Sequence, residues 1–147
     1  MGVESPNEIL NRLLVIHSRS LPVYLTYAPP WWKDQNGRIA EVLHDLARDQ
    51  LDLAERIGAT LVAIGGTPAV GPFPDRFMAF HDLEVGFLLT EIMRYEERAA
   101  AVITQFMPVL AQAPTAQALA QEAIGMAKAH REILQELQRD LASAVAT

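Results

Sequence analysis

The sequence contains no cysteine, which excludes disulfides, thiolate metal sites and cysteine nucleophiles together. It also lacks a surplus of positive charge: 12 basic residues stand against 18 acidic ones, a net charge of −6. A nucleic-acid surface needs clustered Lys and Arg to displace counterions, so no nucleic-acid partner is expected. No apolar run approaches the roughly 20 residues of a membrane span. The opening Met1-Gly2-Val3-Glu4-Ser5-Pro6 has neither the basic nor the apolar region of a signal peptide. The expectation is a cytoplasmic protein without a membrane partner. Strand-period alternation, phosphate loops, nucleophile elbows and dinucleotide fingerprints are likewise missing.

What is present is helical periodicity, in a chain of 147 residues, half of them hydrophobic. That size and composition suit one domain, 1–147, with a core of its own. The expected fold class is all-α, with helices at about 6–27, 38–64, 77–107 and 115–142. The first opens on a capping box, Ser5-Pro6-Asn7-Glu8, and Pro22 inside it should kink it. Trp31-Trp32 falls in a loop, as a core cap or an exposed patch for a partner. The second helix ends at Gly65-Gly66-Thr67-Pro68, a strong stop. From Gly65 to Arg76 the chain is dense in Gly and Pro. Twelve extended residues cover up to ~40 Å, about the length of a 27-residue helix at ~1.5 Å per residue. A crossover between the second and third helices is therefore open to it.

The first, second and fourth helices each carry one polar residue inside the apolar stripe. His17 sits among Leu10, Leu13, Leu14, Leu21 and Tyr24. Gln50 sits among Leu43, Leu46, Leu53, Ala54 and Ile57, and His130 among Ala123, Met126, Ile133, Leu134 and Leu137. The third helix is apolar over a broader arc through Phe80, Leu88, Ile92, Tyr95, Ala99, Val102 and Phe106. His81 and Glu84 lie within that arc and Glu91 at its edge. Packed side by side, the helices bring their midpoints to one level. The expected polar layer is His17, Gln50, Glu91 and His130, with Tyr95 and Tyr24 close by. Buried unpaired, each such group costs on the order of 1–3 kcal/mol, so the layer should bond to itself, to water or to an ion. Three readings stand: a network that fixes helix register, a metal site and a small-molecule pocket.

Other features are set aside. Glu41 and His44 spell Glu-x-x-His, but Glu41 faces away from the apolar stripe. His81 and Glu84 are better oriented, about two turns from the layer, and suit a helix-end hydrogen bond. Glu122 lies about 12 Å along the axis from His130, too far to share an ion with it. Tyr95-Glu96-Glu97-Arg98 reads as a solvated face with charges in helical pairs.

With these residues in hand, the chain resembles the ferritin-like superfamily, and bacterioferritins most closely. The likeness rests on Leu10-Asn11-Arg12-Leu13-Leu14 through Tyr24, on Ala54-Glu55-Arg56 followed by Ile64-Gly65-Gly66-Thr67-Pro68, and on His130-Arg131-Glu132-Ile133-Leu134. The second stretch is also similar to the starvation-induced mini-ferritins. The resemblance implies a four-helix bundle with a long crossover between helices 2 and 3. It also implies a dimetal centre built from one Glu on each of two helices and a Glu-x-x-His on each of the others. Here the first helix has His17 in place of Glu, the second has Gln50 and Leu53 in place of Glu-x-x-His, and the fourth has Ala127 before its retained His130. A standard ferroxidase is not expected. The expected site has His17, Glu91 and His130 as ligands of one iron, manganese or zinc ion, or of none. Tyr24, Gln50, Glu84 and Tyr95 stand around them as polar-core partners. The alternative is a non-enzymatic helical scaffold, a homodimer with a structural polar core.

Overall fold

A computed structural model describes residues 4–29 and 37–146. Trp31-Trp32 lies outside them. The described residues are all-helical, with five α-helices: α1 (Pro6–Ser18), α2 (Leu21–Tyr27), α3 (Arg38–Ala63), α4 (Val85–Phe106) and α5 (Pro114–Ala146). Two 3-10 helices, Asp75–Asp82 and Val109–Gln112, lie before and after α4. No strand occurs among the described residues, and none of the helices is long and apolar enough to cross a membrane.

The first expected helix is two. α1 opens on the capping box, Glu8 N–H donating to Ser5 Oγ and Ser5 N–H to Glu8 Oε2. It ends at Ser18, and the chain restarts with Ser20 as a second N-cap, its Oγ accepting from Val23 N–H at 3.2 Å. Pro22 therefore does not kink a helix interior. It occupies the first turn of α2, where its missing N–H would have had no partner.

The helix expected from residue 77 begins as α-helix only at Val85. Phe77, Phe80 and Leu83 repeat every three residues and all face one apolar cluster. That is the period of a 3-10 helix, whose side chains eclipse at i and i+3. Leu83 is extended, and Glu84 is the N-cap of α4 without a side-chain capping bond.

α3 ends in a Schellman motif: Gly65 N–H bonds Val62 O and Gly66 N–H bonds Leu61 O. Gly65 has φ of 86°, and a Cβ on Gly66 would lie 2.4 Å from Leu61 Cδ1. The chain from Ile64 to Glu84 then lies along α1 and α2. The Asn11 amide holds the Ala69 backbone at both ends, at 2.9 and 2.8 Å, Arg19 Nε donates to Gly71 O, and Phe73 meets the Tyr24 ring edge-on.

Helix contacts are most extensive between α4 and α5 and between α1 and α3, followed by α2 with α3 and α3 with α5. The buried side chains fall into two apolar clusters. The first joins Ile9 and Leu13 of α1, Leu53 and Ile57 of α3, Ile103 of α4 and Ala120 of α5. The second joins Leu21 of α2, Leu43 and Leu46 of α3, Leu89 and Ile92 of α4 and Leu134 of α5. Each fully buried Leu or Ile contributes about 1.5–3 kcal/mol.

Gly65 needs the left-handed backbone that a side chain disfavours, so Gly65→Ala should lower unfolding free energy by about 1–2 kcal/mol. Urea denaturation checks this; unchanged stability would mean that the turn does not have this geometry in solution.

Candidate functional site: a polar layer between two apolar clusters

Between the two clusters the stripes of all the long helices turn polar at one level. Among the described residues, the buried polar side chains are His17, Ser20, Gln50, Glu96 and His130, none more than 4 % exposed. His17 closes the inward stripe of α1, and Ser20 is the residue that caps α2. Gln50 follows Leu43, Leu46 and Ala47 on α3, and His130 stands between Ala127 and Leu134 on α5. Glu96 follows Leu89 and Ile92 on α4 and precedes Ile103 by two turns.

Ser20, Gln50 and Glu96 form a chain of hydrogen bonds, with His130 beside it. Ser20 Oγ donates to Gln50 Oε1 at 2.5 Å, and Gln50 Nε2 donates to Glu96 Oε1 at 2.6 Å. Glu96 Oε1 faces His130 Nδ1 at 3.6 Å, and His130 Nε2 donates to Asp49 Oδ2 at 2.9 Å. Glu96 is buried, whereas the Asp49 carboxyl is 54 % exposed, so solvent screens the Asp49 end of the chain. His17 Nδ1 donates to Leu13 O at 2.7 Å, one turn back along α1.

The two imidazoles are driven in opposite directions. Burial pushes His17 below the ordinary histidine value, only partly offset by the Leu13 carbonyl and by Glu96. Burial also lowers His130, but there Glu96 and Asp49 together outweigh it and hold the ring above the ordinary value. The layer thus holds one imidazole below and one above the ordinary histidine value.

The acidic member of the layer is Glu96, not Glu91. The two are five residues apart on α4, about 140° around the helix at 3.6 residues per turn. Glu91 instead meets its own helix neighbour Arg94 at 2.6 Å. The reading of residues 95–98 as a solvated face is corrected accordingly: Glu97 and Arg98 are exposed, but Glu96 is not. The signal was its place four residues after Ile92 and seven before Ile103.

Of the other expected partners, Gln50 lies in the layer and Tyr95 beside it. The Tyr95 hydroxyl donates to Ile16 O at 2.5 Å, and burial, then Glu96, raises its pKa. Tyr24 is elsewhere, stacked on His81 at 5.3 Å and packed on Phe73 and Phe77. Glu84, exposed at the start of α4, is twelve residues from Glu96, about 18 Å along the axis. Glu41 and His44 are both exposed, and Glu122 pairs with Arg56. Sequence reasoning missed Ser20 and Asp49. A serine two residues before Pro22 is the trace that would have found the first.

Among the described residues no group of three or more His, Asp, Glu or Cys side chains is disposed to hold an ion. His130 Nε2 meets Asp49, His17 Nδ1 a carbonyl and Glu96 Oε1 Gln50, His130 Nδ1 is buried without a hydrogen-bond partner, and Glu91 pairs with Arg94. Comparison with protein-family models, with curated proteins and with solved structures returns no match.

The opposed shifts set a pH dependence. Below the unfolded histidine value of about 6.5, an unfolded His17 is protonated while the folded one is not, so stability falls as the solution becomes more acidic. Above about 6.5, folded His130 keeps a proton that the unfolded chain has lost, so stability falls as pH rises toward its folded value. Urea midpoints between about pH 5 and 8 should peak near the middle. His17→Asn should flatten the acid limb and His130→Gln the alkaline one. A profile unaffected by either variant would contradict the assigned protonation states.

Proposed function

We propose that the chain is a four-helix bundle of ferritin-like layout, with α1 and α2 together as one rod, in which the polar layer fixes helix register in a non-enzymatic scaffold. The cluster memberships support the layout. α1 and α2 run from the first cluster to the second, as does α5, while α3 and α4 both run from the second to the first. Two successive helices in the same direction require a connection along the whole bundle. The contacts of residues 69–73 with Asn11, Arg19 and Tyr24 suit such a crossover.

The observation that carries the scaffold reading is the unbroken chain Ser20–Gln50–Glu96 with His130 set between Glu96 and Asp49. It draws side chains from three of the long helices and from the cap of α2. Sliding α3, α4 or α5 by one turn would take Glu96 from Gln50 or His130 from Asp49, at a cost of about 3–5 kcal/mol for a stranded charge. Ser20, Gln50 and Glu96 bond to one another and His130 bonds Asp49, as in a register device, while His130 Nδ1 faces Glu96 at 3.6 Å without a hydrogen bond.

The test replaces Gln50, Glu96 and His130 together by leucine. Burying apolar groups in place of a charged network is often neutral or stabilising by about 1–4 kcal/mol. The triple variant should therefore stay helical and at least as stable, but give multiple or broadened amide NMR signals as register becomes degenerate. A single sharp spectrum would contradict the proposal. So would protein purified without chelator that carries a stoichiometric metal ion lost in His17→Ala/His130→Ala, which would favour a metal centre.

A further inference from the structure

α1 and α4 touch far less than α1 with α3 or α4 with α5, and the space between them is a cavity of about 410 Å³. That lies within the ~300–1,000 Å³ range of small-molecule sites. From α1 it is lined by Arg12, Val15, Ile16 and Arg19, spaced i, i+3, i+4 and i+7, so one helix face supplies them all. From α4 come Tyr95, Arg98, Ala99 and Val102 in the same spacing, and Arg76 is contributed by the chain before α4. The small side chains Val15, Ala99 and Val102 leave the gap unfilled, and Tyr95 bridges it with its bond to Ile16 O.

The charge on this cavity runs against that of the chain. In a protein of net charge −6, four arginines line it and no acidic residue does. Most arginines elsewhere pair with carboxylates: Arg38, Arg48, Arg56, Arg94 and Arg131. At the cavity only Arg12 does, with Glu4. Arg19, Arg76 and Arg98 have no carboxylate partner among the described residues. Arg19 is held instead by the Gly71 and Ser18 carbonyls and lies over the Phe73 ring. Arg76 lies over Phe77, and Arg98 Nε donates to Arg94 O. Guanidiniums fixed by neutral groups retain their charge and free donors for a ligand, and their planar fork matches a carboxylate.

We propose that this cavity binds a small amphipathic carboxylate, an apolar body seated on Val15, Ile16, Ala99 and Val102 with its head among Arg19, Arg76 and Arg98. α4 starts ten residues before Tyr95, so no helix N-terminus of α4 adds backbone donors there, and a phosphate head would meet the same guanidiniums alone. The site is separate from the polar layer and does not depend on its role.

Calorimetric titration of the intact protein with decanoate tests the proposal. One decanoate should bind per chain. Arg76→Gln/Arg98→Gln, both exposed and without carboxylate partners, should weaken it by about tenfold or more, with the circular dichroism spectrum unchanged. Ala99→Trp, which fills the cavity, should abolish binding while leaving the arginines in place. Acetate, which lacks the apolar body, should not bind. The proposal is overturned if decanoate fails to bind, if decanol binds as tightly, if the arginine variants bind normally, or if decyl phosphate binds and decanoate does not.

Discussion

A carboxyl group buried in an apolar interior has to be met by donors, and Glu96 is the group around which this molecule is arranged. Its Oε1 receives the Gln50 amide at 2.6 Å and faces the His130 ring at 3.6 Å. Removing Glu96 from water costs several kcal/mol unless those partners are in place. They sit on α3 and α5, so satisfying one side chain of α4 fixes the level of two other helices. Gln50 passes the constraint on to Ser20, which also ends one helix and begins the next. A residue that caps a helix and closes the polar chain ties the break between α1 and α2 to the level of the layer.

The same arrangement explains why the two faces of α4 differ. One stripe, Leu89, Ile92, Glu96 and Ile103, is buried among the other helices. The neighbouring stripe, Tyr95, Ala99 and Val102, borders the gap beside α1. Tyr95 and Glu96 are adjacent in sequence yet serve different surroundings, and Tyr95 ties the two together by bonding the Ile16 carbonyl next to His17. The layer carries one imidazole held above and one held below the ordinary value within the same interior. This follows from geometry: carboxyl groups flank His130 on both sides, while His17 is deeply buried and donates to a carbonyl.

The all-helical fold was legible in the sequence because apolar stripes and stop signals agree wherever a helix is long. His17, Gln50 and His130 were legible as inward polar residues because each stands in a single clean stripe. Glu96 was not, since α4 is apolar over two adjacent stripes, and in their merged arc Glu91 lies at one edge, beyond Tyr95, and Glu96 toward the other. The charged run at 95–98 disguised it further. The start of α4 was misplaced because a three-residue repeat of Phe77, Phe80 and Leu83 resembles helical spacing over so short a span. The arginine-lined cavity joins positions some eighty residues apart, and no local pattern announces it. A register-fixing layer and a ligand layer also draw on the same residue types, so sequence spacing alone left both open.

The most direct test of this account is a titration of the two buried imidazoles by NMR, following their ring nitrogen shifts in labelled protein from about pH 5 to 8. Its central claim predicts that His130 remains protonated above the ordinary histidine midpoint while His17 remains neutral below it, and that Glu96→Gln brings His130 down. Two rings that both titrate at the ordinary midpoint, or a His130 indifferent to Glu96→Gln, would contradict it.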